Sequence, residues 1–342
     1  MGATLSSKAS LLFLALPLLA LLASGCTTTN TSATTNGIAV KSFGPDFSEV
    51  YSGETVKFNL LLKNEGSVDT SGVHAELLGL DEDWCSASGT GGTQCRASAG
   101  GRLENLPNEQ DCQYTGSGFK MYAASSIHGT DGSTHTCSWT YVAPQIAKDF
   151  SIQYAPIART FFPYKSAVTK LITFGSTNEI RRLQDSGSKF PMETVSSTVS
   201  PVQLTIETKG PIRFWGGTVA FPLEITITNA GGGAPCSTGA NTIEGVRNNC
   251  KGTVAGDSAK DRITLRVVLG SNMQFMDPEC QLLTSTMVVA LYKGKNSIVC
   301  DIQASGMSEV PIQKAVTVEA YYEYYTDTTS SIRLTGRRVA GA

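Results

Sequence analysis

A chain that repeats itself can fold only into a unit that each copy is able to build, and this chain carries such a repeat. Ala158–Tyr164 (ARTFFPY) aligns with Val318–Tyr324 (VEAYYEY) at an offset of 160 residues, and Ile172 and Phe174 keep that offset to Ile332 and Leu334. Cys300 lies 163 residues after Cys137. Upstream, Gly217–Leu223 aligns with Gly53–Leu60 once one residue is dropped, placing Val219 on Val56, Phe221 on Phe58 and Leu223 on Leu60. Asn229-Ala230-Gly231 then falls on Asn64-Glu65-Gly66 after a two-residue insertion, which preserves strand parity. This is an internal duplication.

The repeated unit reads as β structure. Val56, Phe58, Leu60 and Leu62 alternate with polar residues after a Ser52-Gly53 turn, the period of a half-buried strand. Val73–Leu80 is a second strand, matched by Ile263–Leu269, and Thr136–Tyr141, Phe150–Tyr154, Arg159–Tyr164 and Val168–Phe174 are rich in Thr, Tyr, Phe, Ile and Val. Pro222 argues for an edge strand or a bulge, and Ser86–Gly101 reads as an exposed loop. The spacing predicts one short helix: Ser176-Thr177-Asn178-Glu179 supplies capping residues, Ile180 and Leu183 share a face, and Gly187 is a stop.

Chains of short strands with almost no helix become sandwiches or barrels. The expected fold is all-β, two tandem immunoglobulin-like β-sandwich domains over residues 37–175 and 201–336, joined by a helix and linker at 176–200, with a tail at 337–342. With 41% hydrophobic residues in 342, the chain can bury substantial cores.

At the N-terminus, Lys8 precedes an apolar run from Ala9 to Leu22, about 14 residues against the ~20 needed to span a bilayer. Small residues at Ala23, Ser24 and Gly25 then precede Cys26. This resembles the lipobox of prokaryotic lipoproteins, with Ala23 where Leu is commonest, and implies a signal peptide over 1–25 and lipid attachment at Cys26. Residues 26–36 form a Thr-rich stalk in which Asn30-Thr31-Ser32 fits a glycosylation acceptor.

Removing Cys26 from the nine cysteines leaves an even set with no C-x-x-C pair, which in an exported chain reads as disulfides. Cys112 with Cys137 and Cys280 with Cys300 occupy equivalent places and should pair alike, leaving Cys85 with Cys95 and Cys236 with Cys250 as clamps on loops particular to each half.

By its Gly-x-Thr-Val-x-Phe-x-Leu and Asn-x-Gly motifs, the stretch from Ile38 to Leu334 resembles the CARDB-like, Ig-like repeats of archaeal and bacterial surface proteins. The resemblance implies an extracellular adhesive or spacer module.

A net charge of -2 gives no basis for nucleic-acid binding. There is no G-x-S-x-G, H-E-x-x-H, P-loop or dinucleotide motif, and the chain reads as a non-enzyme with no cofactor and no metal. His128 and His135 flank a turn holding Asp131 and read as a solvated hairpin tip; His74 reads as strand surface; Asp81-Glu82-Asp83 reads as a charged strand end. The candidate interaction surface is Trp84, which otherwise packs on its disulfide, with Tyr321 and Tyr325, which otherwise lie under a loop or the other domain while Tyr322 and Tyr324 fill the core.

The expectation is a lipid-anchored protein on the extracellular face of the envelope, binding a protein or glycan partner. The alternative is a structural subunit that self-associates through strand edges and tyrosines.

Overall fold

The computed structural model of the chain describes residues 37–81, 83–88, 92–95, 112, 119–124, 129–237, 250 and 259–337. Cys26, Asn30 and His128 lie outside them, as do the signal peptide, the stalk and most of Ser86–Gly101.

The first half holds β1 (Ile38–Pro45), β2 (Glu49–Tyr51), β3 (Thr55–Asn64), β4 (Thr70–Leu78), β5 (Cys85–Ser88), β6 (Gly92–Cys95), β7 (Phe119–Met121), β8 (Thr134–Val142), β9 (Ser151–Tyr154) and β10 (Ile157–Ser176). Helix α1 (Thr177–Asp185) and β11 (Val195–Ser197) lead into the second half. That half holds β12 (Val202–Glu207), β13 (Ile212–Phe214), β14 (Thr218–Asn229), β15 (Ala234–Cys236), β16 (Arg262–Leu269), β17 (Met273–Phe275), a short helix α2 (Pro278–Gln281), β18 (Met287–Ala290), β19 (Lys295–Ser305), β20 (Ile312–Thr329) and β21 (Ile332–Thr335).

The duplication is visible strand by strand. One outer sheet runs β1-β3-β8-β5-β6 and the other β12-β14-β19-β17. Val56, Phe58, Leu60 and Leu62 of β3 are fully buried, as are Leu223, Ile225 and Ile227 of β14. Leu60 pairs with Cys137, and its counterpart Leu223 pairs with Cys300. Both outer sheets pack on a nine-stranded central sheet whose spine is β18-β16-β20-β10-β4-β7. The structure closes Cys112–Cys137, Cys236–Cys250 and Cys280–Cys300. Cys85 is also disulfide-bonded, and Cys95 lies opposite it in the β5–β6 ladder.

The Asn-x-Gly turn has a specific packing reason. A Cβ on Gly66 would collide with the Tyr164 hydroxyl, and one on Gly231 with the hydroxyl of Tyr324, the residue equivalent to Tyr164. Tyr164 donates to Val199 C=O at 2.8 Å; Tyr324 donates to Asn229 Oδ1 at 2.7 Å. Burial pushes both phenols up to about 12.

Three expectations are corrected. The halves are not domains in series: all 18 residues of β20 pair antiparallel with β10, and one hydrophobic core runs through both halves. Residues 188–200 are not a free linker, because β11 returns along β10 and pairs with Val168–Lys170. Pro222 lies in an interior strand, tolerated because β12 reaches only as far as Glu224 and requires no N–H from it. In addition, Cys85–Ser88 and Gly92–Cys95 form a hairpin where a loop was expected.

The ends of the two long strands are exchanged. Phe174, at the end of β10, pairs in parallel with Ile212 of β13 in the second half, and stacks edge-on against Phe221 of β14 at 5.5 Å. Its counterpart Leu334, in β21, pairs in parallel with Val50 of β2 in the first half, and β21 also pairs with β9. Each half therefore completes the other.

Candidate functional site

The exchange builds a corner that neither half has alone. Because β10 continues to Ser176 beside β13, helix α1 begins next to the β13–β14 turn: Ser176 pairs with Phe214, and Thr177 Oγ1 donates to Phe214 C=O at 3.4 Å. Ser176 Oγ accepts from Glu179 N–H and caps the helix, while Ile180 buries its inner face. Strand alternation puts Phe214 into the core, so Trp215 points outward. Gly216 follows with φ +89°, a left-handed conformation that glycine adopts without a Cβ penalty.

Trp215 is 81% exposed, whereas Trp84 and Trp139 are at most 1% exposed. It borders a pocket of about 440 Å³ whose polar rim includes Asn178, Glu179 and Arg182 of α1 and Glu309 from the β19–β20 loop. Arg182 grips Glu179 with two hydrogen bonds of 2.6 and 2.7 Å and holds its carboxyl below the usual range. The ring thus stands exposed at the end of β13, beside the paired charges of Glu179 and Arg182. Sequence reasoning missed Trp215. The usable signal was Phe214-Trp215 at a strand end before two glycines, where alternation must expose one ring.

The residues expected to form a surface are elsewhere. Trp84 is fully buried, edge-on to Tyr154 at 5.4 Å and Phe58 at 6.2 Å. Tyr321 is 6% exposed; its hydroxyl donates to Glu319, which also binds Lys165 at 2.6 Å. Tyr325 is half-buried against Phe161, with Arg159 over its ring at 4.9 Å. Tyr322 and Tyr324 are core residues.

The outer face of the central sheet is covered because β15 pairs with Glu323–Tyr325 and carries the Cys236–Cys250 disulfide onto it. Glu323 is fully buried there and accepts the Cys250 N–H at 2.7 Å. The reading of His74 as strand surface is also corrected: it is buried and stacked on Phe161 at 4.6 Å.

His135 stacks on Phe119 at 3.9 Å, and the neighbouring Cys112 and Cys137 sulfurs are bonded to each other. Asp131 is exposed, 3.7 Å from Lys63, and Asp81 accepts the Tyr154 hydroxyl at 2.6 Å.

No protein-family profile and no curated protein matches the chain. Among solved structures, it is similar to the Enterococcus faecalis MSCRAMM ACE, described as binding its ligands by the collagen Hug model. Identity is 6% over 88% of this chain and 96% of that one, with a TM-score of 0.13. The collagen adhesin CNA of S. aureus gives 8% identity, 86% and 91% coverage, and a TM-score of 0.11. Likeness at this level carries no argument about function.

Proposed function

We propose that this is a non-enzymatic binding protein of the outer cell envelope, held to the membrane by lipid on Cys26, which meets its partner at the corner around Trp215. The closed disulfides support an oxidising compartment. The observation that carries the binding role is the exposure of Trp215. Leaving an indole in water forgoes roughly 4 kcal/mol of burial, and it is done here beside a pocket with a polar rim. Trp is the residue type most enriched at energetic centres of recognition.

The test is attachment. Mature protein applied to envelopes prepared from its own cells should bind saturably, and Trp215→Ala should lose at least about tenfold in affinity at unchanged thermal stability. Equal attachment by both proteins would refute the reading.

A second reading, assembly into an envelope layer, is favoured by a groove of about 820 Å³ between β16 and β17, bordered by the half-exposed Val268 and Met276. Under that reading, native mass in mild detergent would show a discrete oligomer, and Val268→Lys would dissolve it.

A further inference from the structure

We propose that the Trp215 pocket is a carbohydrate site, taking one or two neutral pyranose rings; this rests on the binding role given above. A pyranose has two chemical characters, an apolar face of ring C–H groups and a rim of hydroxyls. The corner offers the complement of both. The exposed indole provides a flat apolar platform, and among the described residues none crowds the turn that follows it, since a Cβ on Gly216 or Gly217 would meet nothing within 4 Å. Around it, the carboxylates of Glu179 and Glu309, the guanidinium of Arg182 and the amide of Asn178 present acceptors and donors together, which is what vicinal hydroxyls require.

Charge narrows the class. The rim carries two carboxylates against one guanidinium, and that guanidinium is already bound twice to Glu179. Sialylated, sulfated or phosphorylated chains would meet like charge, so the sugar is neutral. Size narrows it further, because about 440 Å³ is at the small end of the ~300–1,000 Å³ typical of ligand sites. Trp215, Phe214 and Met307 supply the apolar part of the lining, which suits the C–H face of a pyranose while the polar rim meets its hydroxyls.

The positions of the tryptophans supply a selective readout. Trp84 and Trp139 are buried, so collisional quenching by acrylamide reports Trp215. Mature full-length protein with its disulfides intact is titrated with cellohexaose, chitohexaose and mannohexaose while quenching is followed. The proposal expects at least one of them to shield Trp215 saturably. In isothermal titration calorimetry with the sugar that shields, Trp215→Ala should abolish binding, Trp215→Phe should retain part of it, and Glu309→Gln should weaken it about threefold to tenfold.

If none of the three shields Trp215 up to tens of millimolar, the proposal is overturned. It is equally overturned if Trp215-dependent attachment persists on periodate-oxidised envelopes, an outcome that leaves the binding role standing with a non-sugar partner. Attachment that ignores Trp215→Ala removes the binding reading itself.

Discussion

Pro163 and Glu323 face each other across the β10–β20 ladder and are also the same position of the two halves, 160 residues apart. When equivalent residues of two copies pair antiparallel, a local twofold axis passes between them. Phe162 therefore pairs with Tyr324 and Tyr164 with Tyr322, each residue meeting the counterpart of its neighbour on the other side of the axis. The contact has the logic of an isologous dimer interface carried within one chain, and the two residues on the axis differ. Two copies of the second half pairing in the same way would set Glu323 directly opposite Glu323, and like charges opposite one another disfavour a ladder.

Glu323→Ala should destabilise the protein by about 1–3 kcal/mol, because the buried Cys250 N–H loses its acceptor. Glu323→Gln, which keeps an oxygen at that place, should cost less than Glu323→Ala. Denaturant melts of both variants under non-reducing conditions check the order.

Gly66→Ala should be costly despite the small size of the added group, by roughly 1–3 kcal/mol, since the new methyl runs into the Tyr164 hydroxyl. Adding Tyr164→Phe should recover part of the loss. A double-mutant cycle measures the coupling, and additivity would mean that the hydroxyl is not the obstacle.

Leu334→Ala should cost about 2–5 kcal/mol, and the loosening should appear in the first half. Hydrogen exchange in Glu49–Tyr51 and Ser151–Tyr154 should accelerate more than in β16 or β18, because β21 pairs with the former strands.

The Glu319 cluster predicts a pH profile. Burial opposes the Glu319 charge, but Lys165, the Tyr321 hydroxyl and Arg266 outweigh it and hold the carboxyl below its ordinary 4.5. Its contribution is therefore present above about pH 4.5 and lost as pH falls through the folded value. Burial likewise opposes the Lys165 charge, yet Glu319 and Tyr321 raise its pKa above 10.5, so that contribution is complete below pH 10.5 and lost as pH rises further. The stability gap between the wild type and Glu319→Gln should be flat near neutrality, at about 1 kcal/mol for a partly buried pair that water still screens, and should close in acid. A gap that widens below pH 4 would contradict this.

Local periodicity made the strands, the helix and the duplication legible, because alternation at Val56, Phe58 and Leu60, capping at Ser176 and a fixed offset between halves are written along the chain. Partners distant in sequence were not legible. Parity correctly sent Tyr321 and Tyr325 to the face opposite Tyr322 and Tyr324, and it could not show that β15 and its disulfide cover that face. His74 is likewise buried against a partner distant in sequence, Phe161 across the β4–β10 pair. The strand exchange was unreadable for a different reason: exchanged and unexchanged arrangements make equivalent contacts, so Ile172–Phe174 carries the same pattern whichever half it completes. The domain boundary placed at Gly175 accordingly fell inside a strand of the shared structure. Trp215 was overlooked because its neighbourhood, α1 from one half and a turn from the other, exists only after that exchange.

The duplicated halves form one unit whose exchanged strands build the Trp215 corner. Scanning calorimetry of the mature, non-reduced protein tests it most directly. A single unit gives one transition with equal calorimetric and van't Hoff enthalpies, and Leu334→Ala and Glu323→Ala should shift that whole transition. Two resolved transitions, with Leu334→Ala moving only the one assigned to the second half, would contradict it.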